Sequence, residues 1–139
     1  MTALCVTAQF SDKIQPICIN GPGSDLTGAS VLVLGWGRTR DGGPRASGLR
    51  AVEVDVWSAG QCRDAYSGVA EVRGEMVCAG RLGRDSCTGD SGGPLVLCSR
   101  GCVLVGVASW GVGCAESRYP GVYTRLDKFT SWITDMVRQ

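Results

Sequence analysis

The chemistry in this sequence gathers around Ser91, inside Asp85-Ser86-Cys87-Thr88-Gly89-Asp90-Ser91-Gly92-Gly93-Pro94, a stretch of small side chains presenting one hydroxyl among glycines. Glycine lets the backbone take positive φ and come close to a bound group, and Pro94 stops the loop from running on as regular structure. Backbone amides beside Ser91 are then free to point at an anion. Acyl transfer needs that arrangement, because its tetrahedral intermediate places negative charge on the former carbonyl oxygen. A serine hydroxyl at its ordinary pKa is a weak nucleophile and requires a base within hydrogen-bond reach. The sequence contains no histidine.

Gly89-Asp90-Ser91-Gly92-Gly93-Pro94 resembles the nucleophile motif of the trypsin-like serine proteases, the family behind the general triad template. Gly35-Trp36-Gly37, Met76-Val77-Cys78-Ala79-Gly80, Ser109-Trp110-Gly111-Val112-Gly113-Cys114 and Pro120-Gly121-Val122-Tyr123-Thr124 follow the family's order and approximate spacing. Several ordered motifs carry more weight than one glycine-flanked serine.

The resemblance assigns roles. Ser91 matches the nucleophile, and the amides of Gly89 and Ser91 match the oxyanion hole. Asp85 matches the floor of the pocket for the side chain before the cut bond, with Gly111 and Gly121 as walls and Ser86 and Tyr123 as lining. A carboxylate beneath two bare walls suits a long cation, implying cleavage after Arg or Lys. Ser109 and Trp110, with Gly111, match the edge strand that pairs with an extended substrate. Asp90 matches the acid that meets a new α-amino terminus after a proenzyme is cut; without that cation the loop around Ser91 is expected to be mobile or collapsed. The plainer alternatives are a solvated turn acid for Asp90, an exposed loop acid for Asp85 and a core aromatic for Trp110. Pro120 stands where sodium-activated relatives carry Tyr, which argues against bound sodium. No cofactor or metal is expected.

The elements that must hold these residues are short strands. Val52, Val54 and Val56 alternate with Ala51, Glu53 and Asp55, a half-buried strand of period two. Apolar runs at Val31–Leu34, Met76–Ala79, Leu95–Cys98, Cys102–Trp110 and Gly121–Arg125 bring the count to six. Six antiparallel strands suit a small closed barrel in an all-β fold. Leu126, Phe129, Trp132, Ile133, Met136 and Val137 recur at helical spacing, predicting a terminal amphipathic helix. The family's second barrel, a Greek-key barrel closed by a C-terminal helix, matches this pattern. Residues 1–28 then read as a remnant of the first barrel plus the connector, and residues 29–139 as the second barrel with its helix. Arg38 to Arg50 is a loop with four arginines, read as a solvated face or an exosite for an acidic partner.

The chain has 139 residues, whereas complete two-barrel enzymes run to about 200 to 250. Fourteen Lys and Arg against thirteen Asp and Glu are too balanced to point to nucleic acid or an anionic membrane. No apolar stretch approaches the roughly 20 residues of a membrane span. Eight cysteines imply disulfides and an oxidising compartment. Met1 to Phe10 is not a convincing signal peptide. The resemblance pairs Cys62 with Cys78 and Cys87 with Cys114, and leaves Val31 and Leu97 where a further bridge is common. Cys98 and Cys102 flank Ser99-Arg100-Gly101, and opposite positions of a hairpin lie within disulfide range. Cys5 and Cys18 are left free, paired together or paired outside the chain.

Met1 falls where the family has its triad aspartate. With base and aspartate both missing, the expectation is the C-terminal half of a secreted endopeptidase that does not act alone. Its partners are then Arg- or Lys-containing proteins or peptides, a separate first half, or a protease inhibitor. The alternative is a non-catalytic binding module.

Overall fold

The computed structural model describes residues 8–115 and 118–138. Strand β1 (Cys18–Ile19) is followed by β2 (Ser30–Gly35), β3 (Arg50–Val56), helix α1 (Ala59–Ala65), β4 (Met76–Gly80), β5 (Pro94–Cys98), β6 (Cys102–Trp110) and β7 (Gly121–Arg125). A 3-10 turn (Leu126–Lys128) leads into helix α2 (Thr130–Val137). The six expected strands are all present.

Strands β2, β3, β4, β7, β6 and β5 pair antiparallel in that order, and β5 returns to β2, closing a barrel without free edges. The strand after β4 lies beside β2 rather than beside β4, the crossing that defines a Greek key. β1 was not expected as a strand. It runs parallel to β6 through Cys18↔Val103 and Ile19↔Leu104, extended by Asn20 N–H donating to Leu104 O at 3.0 Å.

Alternation decides which residues fill the barrel. Val31 and Val33 of β2 and Val54 and Val56 of β3 point inward and meet Val77, Ala79, Leu95, Val105, Ala108 and Tyr123. Leu26 of the connector joins the same cluster. Val31 is buried in this core and Leu97 packs against it, so apolar packing stands where the resemblance implies a further bridge.

Helix α1 went unread in the sequence although its start was written there. Ser58 Oγ accepts from Gln61 N–H while Gln61 Oε1 accepts from Ser58 N–H, a reciprocal capping box. The predicted C-terminal helix is shorter than its apolar pattern. Leu126 belongs to the 3-10 turn and is buried, whereas on α2 Ile133 and Met136 are half-buried and Trp132 and Val137 are exposed. Asp127 is buried against Arg125, which donates to it at 2.7 and 3.0 Å and to Ser24 O at 3.0 Å.

Among the described residues, three disulfides join Cys62 to Cys78, Cys87 to Cys114 and Cys98 to Cys102, the last across opposed positions of the β5–β6 hairpin with Cα atoms 4.1 Å apart. Cys18 is exposed and forms no disulfide among the described residues. Met1 and Cys5 lie outside the described residues. No helix among the described residues is long and apolar enough to cross a membrane.

Candidate active site

Two loops and two strand ends converge on one cavity of about 240 Å³, lined by Asp85, Ser86, Cys87, Thr88, Gly89 and Ser91 on one side. Ala108, Ser109, Trp110, Gly111, Gly113 and Gly121 form the other. The Cys87–Cys114 disulfide ties the loop carrying Ser91 to the segment that follows β6. Every residue assigned a pocket or nucleophile role in the sequence lines this cavity, with two exceptions. Tyr123 stands behind Ser86 and Asp90 lies on the far side of the loop.

The floor is acidic. Asp85 Oδ1 accepts from Ser86 N–H at 2.7 Å, and Tyr123 Oη donates to Ser86 Oγ at 3.0 Å. Burial pushes the Asp85 carboxyl up to about 6, while N–H groups of Ser86, Ala115 and Gly121 pull in the opposite direction. Burial likewise raises the Tyr123 phenol, which keeps it a neutral donor. Ala115 holds φ 61, a left-handed conformation that is costly for a residue with a side chain; its N–H faces Asp85. Gly121 is required by contact, since a methyl group there would overlap Asp85 Oδ1 and sit 3.1 Å from Ser86 Oγ.

Tyr66 is a supporting residue that sequence reasoning missed. It is fully buried at the C-cap of α1, donates from Oη to Pro120 O at 2.6 Å and meets the Trp110 ring edge-on at 4.9 Å between centroids. Burial pushes its phenol up to about 12. Trp110 therefore packs against a satellite core while also lining the cavity. The only sequence signal for Tyr66 was the capping box that starts its helix.

Ser91 stands exposed at the mouth, its hydroxyl without a hydrogen-bond partner among the described residues. Asp90 N–H is taken by Cys87 O at 2.9 Å, and Gly92 N–H by Ala108 O at 2.8 Å. The N–H groups of Gly89 and Ser91 have no acceptor among the described residues. Gly89 takes φ 100, a conformation reserved for glycine. Ser109 is the extra residue of a β-bulge between the Ala108↔Tyr123 and Trp110↔Val122 pairs, which leaves it exposed beside the cavity.

Asp90 departs from expectation. Its carboxylate accepts from Gly37 N–H at 2.6 Å and Cys87 N–H at 3.0 Å, so the loop is built rather than collapsed, and two backbone donors partly stand in for a cation. This explains Gly35-Trp36-Gly37: a side chain at Gly35 or Gly37 would overlap the Asp90 carboxylate. Asp90 also borders a second cavity of about 250 Å³, walled by Val33, Val52, Cys87, Cys114 and Ala115 and edged by arginines.

A family model described as Trypsin matches residues 2–133. Trypsin-1 of Astacus astacus is 44% identical over 127 residues, covering 89% of this chain and 53% of that protein. Trypsin alpha-3 of Lucilia cuprina is 48% identical over 107 residues, covering 76% of this chain and 63% of that protein. Serine proteinase stubble of Drosophila melanogaster is 42% identical over 137 residues, 94% of this chain but 17% of its own length. The chain spans about half the length of the trypsins it matches. With a closed Greek-key barrel, three disulfides and this cavity in place, the match across residues 2–133 means that the chain belongs to the trypsin family.

Proposed function

We propose that this chain is the nucleophile- and specificity-bearing half of a secreted serine endopeptidase that cuts after Arg or Lys, and that it does not turn over peptides alone. The observation that carries the reading is Asp85, a half-buried carboxylate at the floor of a cavity whose walls at Gly111 and Gly121 bear no side chains. A guanidinium or ammonium reaching the floor would pair with Asp85 and favour its ionised form.

With the side chain so held, the carbonyl to be cut lies beside the unpaired N–H groups of Gly89 and Ser91. Ser91 Oγ attacks the carbonyl carbon while a base takes its proton, and the displaced electron pair settles on the oxygen held by those two amides. The amine leaves with a proton from the base, and water then cleaves the acyl ester on Ser91. Ser109 to Gly111 align the acyl-side backbone as an added strand. This sequence holds no histidine, so the base comes from elsewhere, in a longer chain or a first half supplied separately.

Asp90, at the edge of the second cavity, receives the α-amine of a freed terminus in this reading. Residues 1–28 are a remnant of the first barrel plus the connector, and residues 29–139 are the second barrel with its helix. Substrates are proteins or peptides, a protease inhibitor would occupy the same cavity, and three disulfides fit an extracellular setting. The test is calorimetric titration with benzamidine: the chain binds it, Asp85→Asn does not, and equal binding by both overturns the reading.

The absence of histidine favours one other reading, a binding module that uses the pocket without cleavage. Coding sequence upstream of Met1 separates the two. An in-frame segment encoding an Ala-Ala-His-Cys-like motif, with aspartate in place of Met1, supports the endopeptidase; an in-frame stop supports the module.

A further inference from the structure

Arg45 stands beside the reacting centre, and none of the roles above uses it. The loop between β2 and β3 forms a small hairpin, in which Thr39 N–H donates to Pro44 O at 3.1 Å and Ala46 N–H to Gly37 O at 2.9 Å. Arg38 and Arg45 oppose each other across it, and Arg38 N–H donates to Thr88 O at 2.9 Å, which fastens the hairpin alongside Gly89. The Arg45 guanidinium lies on the bare face of Gly89: a methyl group there would meet Arg45 Cζ at 3.4 Å and Nη2 at 3.5 Å. Arg45 is exposed, forms no ion pair among the described residues, and lines neither the specificity cavity nor the second one. Its neighbour across the hairpin is another cation, Arg38, which donates to Gly43 O. Like charges directly opposed repel, so a carboxylate arriving at Arg45 is attracted and also relieves that repulsion.

Geometry selects the part of a substrate that comes here. With the side chain before the cut bond on Asp85 and the acyl-side backbone along Ser109 to Gly111, the departing segment leaves over the far side of Gly89. Resting on that reading of Asp85, Gly89 and Ser91, we infer that Arg45 is a specificity-determining residue for the departing segment, favouring Asp or Glu at the first or second position after the cut bond. Chain dimensions set the reach. The Gly89 N–H holds the carbonyl oxygen at the cut, and an extended chain advances about 3.3 Å per residue, so only those two positions pass close to a guanidinium packed on that glycine. An acid further along feels a screened charge.

The test is displacement of p-aminobenzamidine, followed by its fluorescence, from the chain by acetylated and amidated peptides. Ala-Ala-Arg-Ala-Glu-Ala-Ala-Ala is compared with its Gln counterpart and with Ala-Ala-Arg-Ala-Ala-Ala-Ala-Glu. At low ionic strength the first peptide should bind about threefold more tightly than the other two, a gap that closes at high salt and in R45Q but persists in R40Q. Equal affinity for all three, an equal gain from the distant Glu, or a preference that R45Q keeps or R40Q removes overturns the inference, while probe binding leaves the Asp85 pocket standing. Probe binding that no peptide displaces likewise overturns the inference alone, and no probe binding overturns pocket and inference together. The peptide comparison needs no variant, and the affinity of each variant for p-aminobenzamidine reports whether it is folded.

Discussion

Asp85 offers a prediction that distinguishes a working specificity pocket from an inert loop acid, namely the pH dependence of cation binding. Benzamidinium stays protonated across the acidic range, so only the carboxyl titrates. Burial places its midpoint at about 6. Apparent affinity scales with the binding-competent fraction. At pH 8 nearly all pockets carry the charge, and at pH 5 about one in ten does, so the dissociation constant rises about tenfold between them. A carboxyl at the ordinary midpoint near 3.9 would lose only about a tenth of its charge at pH 5. The assay is calorimetric or fluorescence titration in half-unit pH steps at constant ionic strength. Affinity that is flat from pH 8 to pH 5 would refute the buried-floor argument, because Asp85 would then be solvated and the cavity would not be shaped as described.

Other perturbations test other parts. The folded-state Asp85 carboxyl lies above its ordinary value, so its contribution to stability is greatest below the unfolded pKa and is lost as pH rises through about 6. Asp85→Asn should therefore raise the melting temperature at pH 8 but not at pH 4, and an identical shift at both would contradict this. Gly121→Ala places a methyl against Asp85 Oδ1 and should weaken benzamidine binding at least about tenfold while near-native circular dichroism persists. The Cys98–Cys102 clip spans a sequence separation of 4 and Cys87–Cys114 one of 27. Loop-closure entropy then predicts losses of about 2 and about 3.6 kcal/mol on replacement by serine in denaturant titrations, and only the second should also abolish cation binding. Arg125→Met leaves the buried Asp127 unpaired and should cost about 3 kcal/mol, a cost that Asp127→Asn in the same chain should partly reverse.

The barrel was legible because its strands obey simple rules. Val52, Val54 and Val56 alternate, and that alone fixes which face of β3 enters the core. The residues that line the cavity were legible through the resemblance of Asp85–Pro94 and Ser109–Tyr123 to the family's motifs, and the fold brings them together. What the sequence hid was long-range. Two residues of β1 pair with the flank of β6, which no local pattern marks. Tyr66 braces the pocket wall from a helix distant in sequence, through a bond to Pro120. The Asp90 carboxylate finds amides of Gly37 and Cys87, so a loop expected to collapse has internal donors instead. The apolar spacing after Leu126 overstated helix α2, because such periodicity reports an amphipathic face and not whether the fold supplies a surface to cover it.

The central claim is that this chain holds pocket, oxyanion amides and nucleophile but no base. Its most direct test is hydrolysis of an arginyl peptide amide by the purified chain, under conditions where benzamidine binding proves the pocket is formed. Removing the histidine base costs about a million-fold in kcat in an enzyme of related chemistry. The predicted result is saturable binding with turnover no greater than that of Ser91→Ala. Turnover by the chain alone that disappears in Ser91→Ala would contradict the account.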